Sequence, residues 1–403
     1  MKLKSYFLLS IVVGMTFACS SDENVPEVEV FTPDATLSLA AVADGKSLTK
    51  AGEGEGENID QEDAINSLLV LVFYADGNLQ IDKVVATNRV EDLDVQSGAV
   101  KILVLANVGT REKQFGTLKE ALVYQMALDN ENENNGYSMS SRLIEATLDE
   151  GKHNIFGEIK DFSGHMPNVS KDGNNIKLTR HIAQINLKSV SVKSDNGKAS
   201  FVIDSVFMAN VKGYSLMAAN STEEWGMVES KGAPEGNFLW WYGQYENEYW
   251  NGEYKTIEDG LLKADLLGFN ANKRKVTSSS PWKPETGQLA CGKSFIVYEN
   301  MVDAVKPGQR TLLVLKGTYT DDNGRVEENR FYTIPVNAMG TMTNAEGGTP
   351  DHSYVKRNYR YNISLTINSS GSDRPYDPAS EACMDVAVMV ADWDVIEQNE
   401  DLD

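Results

Sequence analysis

The chain has 403 residues, room for two or three domains of ordinary size. Lys and Arg number 37 against 59 Asp and Glu, a formal charge of −22, so the molecule repels a phosphate backbone and nucleic acid is excluded as a partner. Three Cys are too few for a disulfide scaffold and four His too few for a histidine-based metal centre, so neither metal nor cofactor is expected.

Lys2 and Lys4 precede a mostly apolar run at residues 5–17. The run is too short to span a bilayer and has the form of a secretory signal peptide, residues 1–18. Ala18 sits directly before Cys19, which resembles a bacterial lipoprotein cleavage site with Cys19 as the lipidated N-terminus. Ser20-Ser21-Asp22-Glu23 resemble the acidic signal that sends such lipoproteins to the outer face of the outer membrane. In the polar stretch that follows, Leu37, Leu39 and Ala41 alternate with Thr36, Ser38 and Ala40, which predicts one short strand over 36–43. Gly52, Gly54 and Gly56 then alternate with glutamates, a composition that cannot pack and reads as a flexible linker. Lys46 and Lys50 lie in it, open to a protease that cuts after basic residues. The order is strand, cleavable linker, folded body.

The body reads as mostly β. Residues 68–74 (LLVLVFY) form a continuous apolar run closed by Asp76-Gly77, a strand and a turn; residues 100–107 (VKILVLAN) form a second strand. Thr117 and Glu120 make a capping box. Leu118, Ala121, Leu122 and Leu128 follow at helical spacing, which predicts a helix ending before the Asn- and Glu-rich residues 129–135. Apolar runs at 182–192 and 201–209 flank Asp195-Asn196-Gly197 and predict a hairpin. Further strands are expected at 294–299, 311–319 and 330–336, with a turn at 321–324, then at 358–368 and 384–393. In the last of these Val386, Val388 and Val390 line one face. Many short strands with one helix predict two antiparallel β-sandwich domains of the transthyretin-like kind, over 51–177 and 178–403, with a minor helix in the first.

Nothing in the chain reads as catalytic. The glycines at 52–56 follow no adjacent strand, open no helix and lie among glutamates, so they do not form a nucleotide loop. Asp321-Asp322-Asn323-Gly324 lacks the spaced ligands of a calcium loop. No nucleophile elbow or zinc-protease motif occurs. Cys291 and Cys383 read as buried thiols or one disulfide. One stretch is unusually aromatic: Trp225, then Trp240, Trp241, Tyr242, Tyr245, Tyr249, Trp250 and Tyr254. These rings either close the end of a core or offer faces to a partner or a sugar.

Several segments together resemble the FimA family of Bacteroidales fimbrillins, the stalk subunits of type V pili. They are the start at Cys19, VLANVGT at 104–110, LTRHIAQIN at 178–186, KRNYRYNISLTI at 356–367 and MDVAVMVADW at 384–393. The resemblance implies a non-enzymatic subunit that reaches the outer membrane as a lipoprotein and is cut by a surface protease after a basic residue. The first strand then leaves, and the C-terminal strand of another subunit fills its place. Here the implied cut lies between Lys50 and Ala51, and the removable strand carries Leu37, Leu39 and Ala41. The family often has Arg at the cut, so a protease accepting Lys is implied, with Lys46 as a second site. The implied donor is the tail after Met384, anchored by Trp393, Val395 and Ile396, although the acidic end offers only Leu402 beyond them. Implied partners are other fimbrial subunits, the outer membrane through the lipid, the protease, and an adhesion receptor on host or bacterial cells, with biofilm formation as the outcome. The rival reading is a surface lipoprotein that captures glycans through residues 225–254. The linker favours the first, because a monomeric binder needs no removable strand.

Overall fold

The structure, a computed structural model, describes residues 31–44, 64–109, 114–131, 135–156, 176–209, 211–212, 214–218, 238–239, 245–246, 249–250, 268–286, 288–300, 310–338, 342–344, 352–374 and 383–392. The chain is mostly β, as its alternating and apolar runs predict. The first half holds β1 (Ala35–Ala43), β2 (Leu68–Tyr74), β3 (Leu79–Val85), β4 (Arg89–Val95), β5 (Gly98–Ala106), α1 (Leu118–Leu122), β6 (Gln125–Ala127), β7 (Met139–Ser140), β8 (Ile144–Leu148), β9 (His153–Phe156) and β10 (Ile176–Arg180). The second holds β11 (Ile182–Val192), β12 (Ser200–Ala209), β13 (Val211–Lys212), β14 (Tyr214–Leu216), β15 (Phe238–Leu239), β16 (Tyr245–Glu246), β17 (Tyr249–Trp250) and β18 (Gly268–Thr277). It continues with β19 (Phe295–Tyr298), β20 (Leu312–Thr320), β21 (Val326–Pro335), β22 (Met342–Asn344), β23 (Tyr359–Ile367) and β24 (Met384–Asp392).

In the first half a nine-stranded sheet runs β3-β2-β5-β7-β10-β1-β4, with β8 on β5 and β9 on β1. Leu68, Val70 and Val72 of β2 share a core with Leu37 and Leu39 of β1 and with Val90 and Val95 of β4, so the sheet folds back over itself as a sandwich. The opposite side chains of β2 (Leu69, Leu71, Phe73) meet Leu118 and Ala121 of α1, and Met217 and Ala218 from the second half. A strand buried on both faces must be apolar at every position, which accounts for the unbroken LLVLVFY. The turn after it is the expected one, with Gly77 at φ +91° and Asp76 Oδ1 accepting from the Asn78 N–H at 2.9 Å.

The helix is shorter than its periodicity predicts. Thr117 caps it, its hydroxyl accepting from the Glu120 N–H at 3.3 Å, while the Glu120 carboxylate accepts from the Gly116 N–H at 2.7 Å. It nevertheless ends at Leu122. Residues Gln125–Ala127 extend to pair with β14, and Leu128 packs into the core of the second half. A partner strand outcompetes the local helical pattern.

The second half encloses one core between the sheets β19-β11-β23-β24-β22 and β18-β12-β20-β21. Ile185, Leu187 and Ile363 enter it from one side, Phe201, Ile203 and Phe331 from the other. The hairpin expected across Asp195-Asn196-Gly197 does not form. β11 pairs with β19 and β23, and β12 with β18 and β20, so the chain steps from one sheet to the other. Asp322, in the β20–β21 turn, builds this corner. Its carboxylate accepts from the Ser194 hydroxyl, from the Asp195 N–H at 2.9 Å and from the Ala199 N–H at 3.1 Å. Gly197 supplies a positive φ of +79°, but for a crossover. Pairing is mainly antiparallel; β1 with β9 and β10, β11 with β23, and β22 with β24 run parallel. Cys291 and Cys383 are both free thiols, and burial pushes that of Cys291 up to about 12.

Candidate functional site

Leu37, Leu39 and Ala41 have no exposed surface, because period-2 alternation turns all three to the same face of β1, into the core. The strand has neighbours on both sides. It runs antiparallel to β4 from Ala35 opposite Val95 to Ala40 opposite Arg89. On its other edge it runs parallel to β9, from Thr36 opposite His153, and then to β10, from Ala41 opposite Ile176. At its start the Asp34 carboxylate accepts from the Ser97 N–H at 2.6 Å and the Ser97 hydroxyl at 2.8 Å, and these bonds hold the Asp34 carboxyl below its ordinary range. At its end the Asp44 N–H donates to the Leu178 carbonyl at 2.8 Å.

Midway the register slips. Leu37 faces Leu93 and Leu39 faces Val90, which leaves Glu91 and Asp92 opposite Ser38 alone. Asp92 takes up the extra residue at φ +48°, and its N–H donates to Ser38 Oγ at 2.9 Å. Ser38 Oγ is also hydrogen-bonded to His153 Nε2 at 2.7 Å, and that nitrogen lies 3.4 Å from Asp92 Oδ1. One buried hydroxyl thus clasps β1 to both neighbouring strands.

Such a seat can bind one kind of object, an extended strand with apolar residues at alternate positions. Without β1 the inner edges of β4, β9 and β10 would present unpaired N–H and C=O groups beside an apolar slot. A returning strand regains about 0.5–1.5 kcal/mol per hydrogen bond and about 1.5–3 kcal/mol per buried leucine.

β1 leaves its seat where the two halves meet. Lys177 Nζ lies 4.0 Å from Asp44 Oδ1, and Arg180 Nη1 donates to the Asp44 carbonyl at 3.3 Å. The same nitrogen donates to Asn358 Oδ1 at 2.9 Å, just ahead of β23. The chain passes from β10 to β11 at His181, whose ring is hydrogen-bonded to the hydroxyls of Ser138 and Ser140, both at 2.9 Å. Burial first, and Arg357 second, push the His181 pKa well below its ordinary value. Glu131 accepts from the Ser138 N–H at 3.0 Å and the Tyr298 hydroxyl at 2.9 Å, and its burial raises its pKa. Arg357 Nε donates to Glu299 Oε2 at 2.9 Å, and Nη2 to the Ser215 hydroxyl at 3.1 Å. Glu131, Ser138, Ser140, Arg180, His181, Tyr298, Glu299 and Arg357 are all buried, so this part of the cluster is packed inside the protein.

Of the residues singled out in the sequence, the structure brings Leu37, Leu39 and Ala41 together in one slot. Cys19, Lys46, Lys50, Ala51, Trp393, Val395 and Ile396 lie outside the described residues. So does Trp225; of residues 237–254 only short backbone pairings are described, β15 with β13 and β16 with β17. β24 pairs with β23 along its whole length, so residues 384–392 belong to the subunit's own sheet. Sequence reasoning missed Ser38, His153, Arg180 and Asn358. The available signal was Arg180-His181, a polar pair interrupting an apolar alternation and therefore in need of buried partners.

Residues 35–180 match the family described as major fimbrial subunit protein (FimA), and residues 286–393 match the C-terminal domain of the Fim1C-like fimbrium tip subunit. A major fimbrium subunit FimA type-2 of Porphyromonas gingivalis is 25% identical over an alignment of 426 positions that covers 99% of each chain. A FimA type-4 subunit of the same organism is 24% identical with the same coverage. Among solved structures, a candidate cell adhesion protein of Parabacteroides distasonis is 26% identical with a TM-score of 0.64, over 90% of this chain and 99% of that one. A Porphyromonas gingivalis fimbrilin shares the fold with a TM-score of 0.57 at 20% identity, over 92% of this chain and 100% of its own. The sequence motifs, the β-rich fold and these matches agree: residues 35–180 match the FimA family, and over nearly its whole length the chain is similar to FimA-type fimbrium subunits, which are structural proteins.

Proposed function

We propose that the chain is a structural subunit of a cell-surface fimbrium, lipidated at Cys19 as an outer-membrane precursor, cut between Lys50 and Ala51, and polymerised head to tail by strand exchange. The observation that carries this reading is the seat of β1. A strand with Leu37 and Leu39 fully buried lies between β4 on one side and β9 and β10 on the other, ahead of a lysine-bearing linker. Cutting the linker would free that strand without breaking the chain within the body. A second subunit's tail would then restore on the order of 10 kcal/mol of gross interaction before ordering costs, by β-augmentation. Because β24 is already paired, the donor begins after Asp392, with Trp393, Val395 and Ile396 as its anchors. In this reading 51–177 is the accepting domain and 178–403 the domain that carries the donor. Such joints are heterologous and build filaments, which serve adhesion and biofilm formation. A protease that accepts Lys does the cutting.

A second reading is favoured by the match of residues 286–393 to a tip subunit's C-terminal domain: the chain caps a filament and does not form its shaft. The test for processing is a Lys46→Ala/Lys50→Ala double variant. Folded monomers without filaments in electron microscopy are expected, and filaments of normal length would refute strand exchange after cleavage. Immunogold labelling separates the two positions, since label along the shaft means stalk and label confined to ends means tip.

A further inference from the structure

We infer that Arg180 is a positioning residue through which the end of β24 senses whether the seat of β1 is filled. Arg180 has no exposed surface. A buried guanidinium stays charged and carries five donors, so it must be met by acceptors held in place. Two of those acceptors come from opposite sides of the junction: the Asp44 carbonyl, where β1 leaves its seat, and Asn358 Oδ1, where β23 begins.

Asn358 is itself held. It sits at φ +60°, and its N–H donates to the Ile182 carbonyl at 2.7 Å. The next residue, Tyr359, lies opposite Asp392, the last residue of β24. Asp44, Arg180, Asn358, Tyr359 and Asp392 therefore form an unbroken series of neighbours. It connects the point where the first strand exits with the point where the C-terminal tail begins. Withdrawing Asp44 takes an acceptor from a buried cation, where an unmet donor is costly. Arg180 then keeps Asn358 without Asp44, or takes a carbonyl of a new strand at the same place. Either response changes the start of β23 and, through the ladder, the end of β24. An occupied seat keeps the end of β24 ordered and an empty one loosens it. The meaning of this for assembly rests on the strand-exchange reading; the coupling itself does not.

The test uses the full-length, uncut chain. Leu39→Ala loosens β1 in its seat, and amide exchange is followed at residues 359–361 and 390–392. Leu39→Ala should speed exchange there about tenfold in the otherwise native chain, within the usual range of coupling between sites. In an Arg180→Met background the same substitution should add little, and exchange in the β20–β21 hairpin should be unchanged in all four proteins. An equal effect of Leu39→Ala in both backgrounds, no effect in either, or equal acceleration throughout the molecule would overturn the assignment. Should Arg180→Met fail to fold, Asn358→Ala takes its place. It leaves the bond from Arg180 to Asp44 intact, so persistence of the tenfold effect in that variant would also refute the link. Filaments from the Lys46→Ala/Lys50→Ala chain would remove strand exchange while leaving this result standing.

Discussion

The contribution of Leu37 depends on whether β1 is in place, since its entire side chain lies in the slot. Leu37→Ala should cost the precursor about 2–5 kcal/mol in denaturant unfolding. The same substitution should cost nothing once the strand has been cut and lost, and an equal cost in both forms would mean that the strand never leaves. His181 makes a different kind of contribution. Its folded pKa lies below the ordinary 6.5, so the stability it brings is complete above that value and declines as pH falls toward the folded pKa. His181→Gln should flatten the loss of melting temperature as pH is lowered below 6.5. Glu131 acts with the opposite sign. Its pKa is raised, so its contribution is complete below 4.5 and is lost as pH rises through the folded value. The His181 effect is therefore read as wild type minus variant at each pH.

At the scale of the element, the corner between β11 and β12 depends on one carboxylate. Hydrogen bonds from the Ser194 hydroxyl first, then from backbone N–H groups, lower the Asp322 pKa from 3.8 to about 2. The stability this brings is present above pH 3.8 and is lost as pH falls through about 2. Acid unfolding of Asp322→Ala, followed by circular dichroism, should lack that decline and start from a lower plateau; an unchanged acid profile would show that the corner holds without it. The elements also differ in how far they could be read in advance. β2, β5 and β20 announce themselves as apolar runs because their side chains are buried. β4 (RVEDLDV) buries only Val90 and Val95 in the core, and β9 has four residues, yet these two strands flank β1. Their place in the sheet rests on main-chain pairing, which leaves little trace in the choice of side chains.

Across the whole molecule, the halves are joined by buried polar contacts. The Tyr298 hydroxyl donates to Glu131 across them, while Arg357 pairs with Glu299 and holds Ser215 of β14, the strand that meets β6 of the first half. Arg357→Met should cost about 3–5 kcal/mol in urea unfolding, because it strands a buried carboxylate. The double change Arg357→Met/Glu299→Gln should recover much of that loss, as neighbours in one network are not additive. Full additivity would mean that the two side chains are not coupled.

Local composition by itself determined that the chain is mostly β, where most of its long strands lie, that an alternating strand precedes a lysine-bearing stretch rich in glycine and glutamate, and which family it resembles. These features are legible because burial imposes a period of two, or an unbroken apolar run, on a strand wherever that strand ends up. Tertiary structure alone decided that β11 and β12 part company at Asp195-Asn196-Gly197, and that the helix stops at Leu122 so that Gln125–Ala127 can pair with β14. It also brought Asp44, Arg180 and Asn358 to one point. The physical reason is the same in each case: a backbone N–H or C=O will pair with any strand the fold delivers, and which strand that is depends on contacts between residues far apart in the chain.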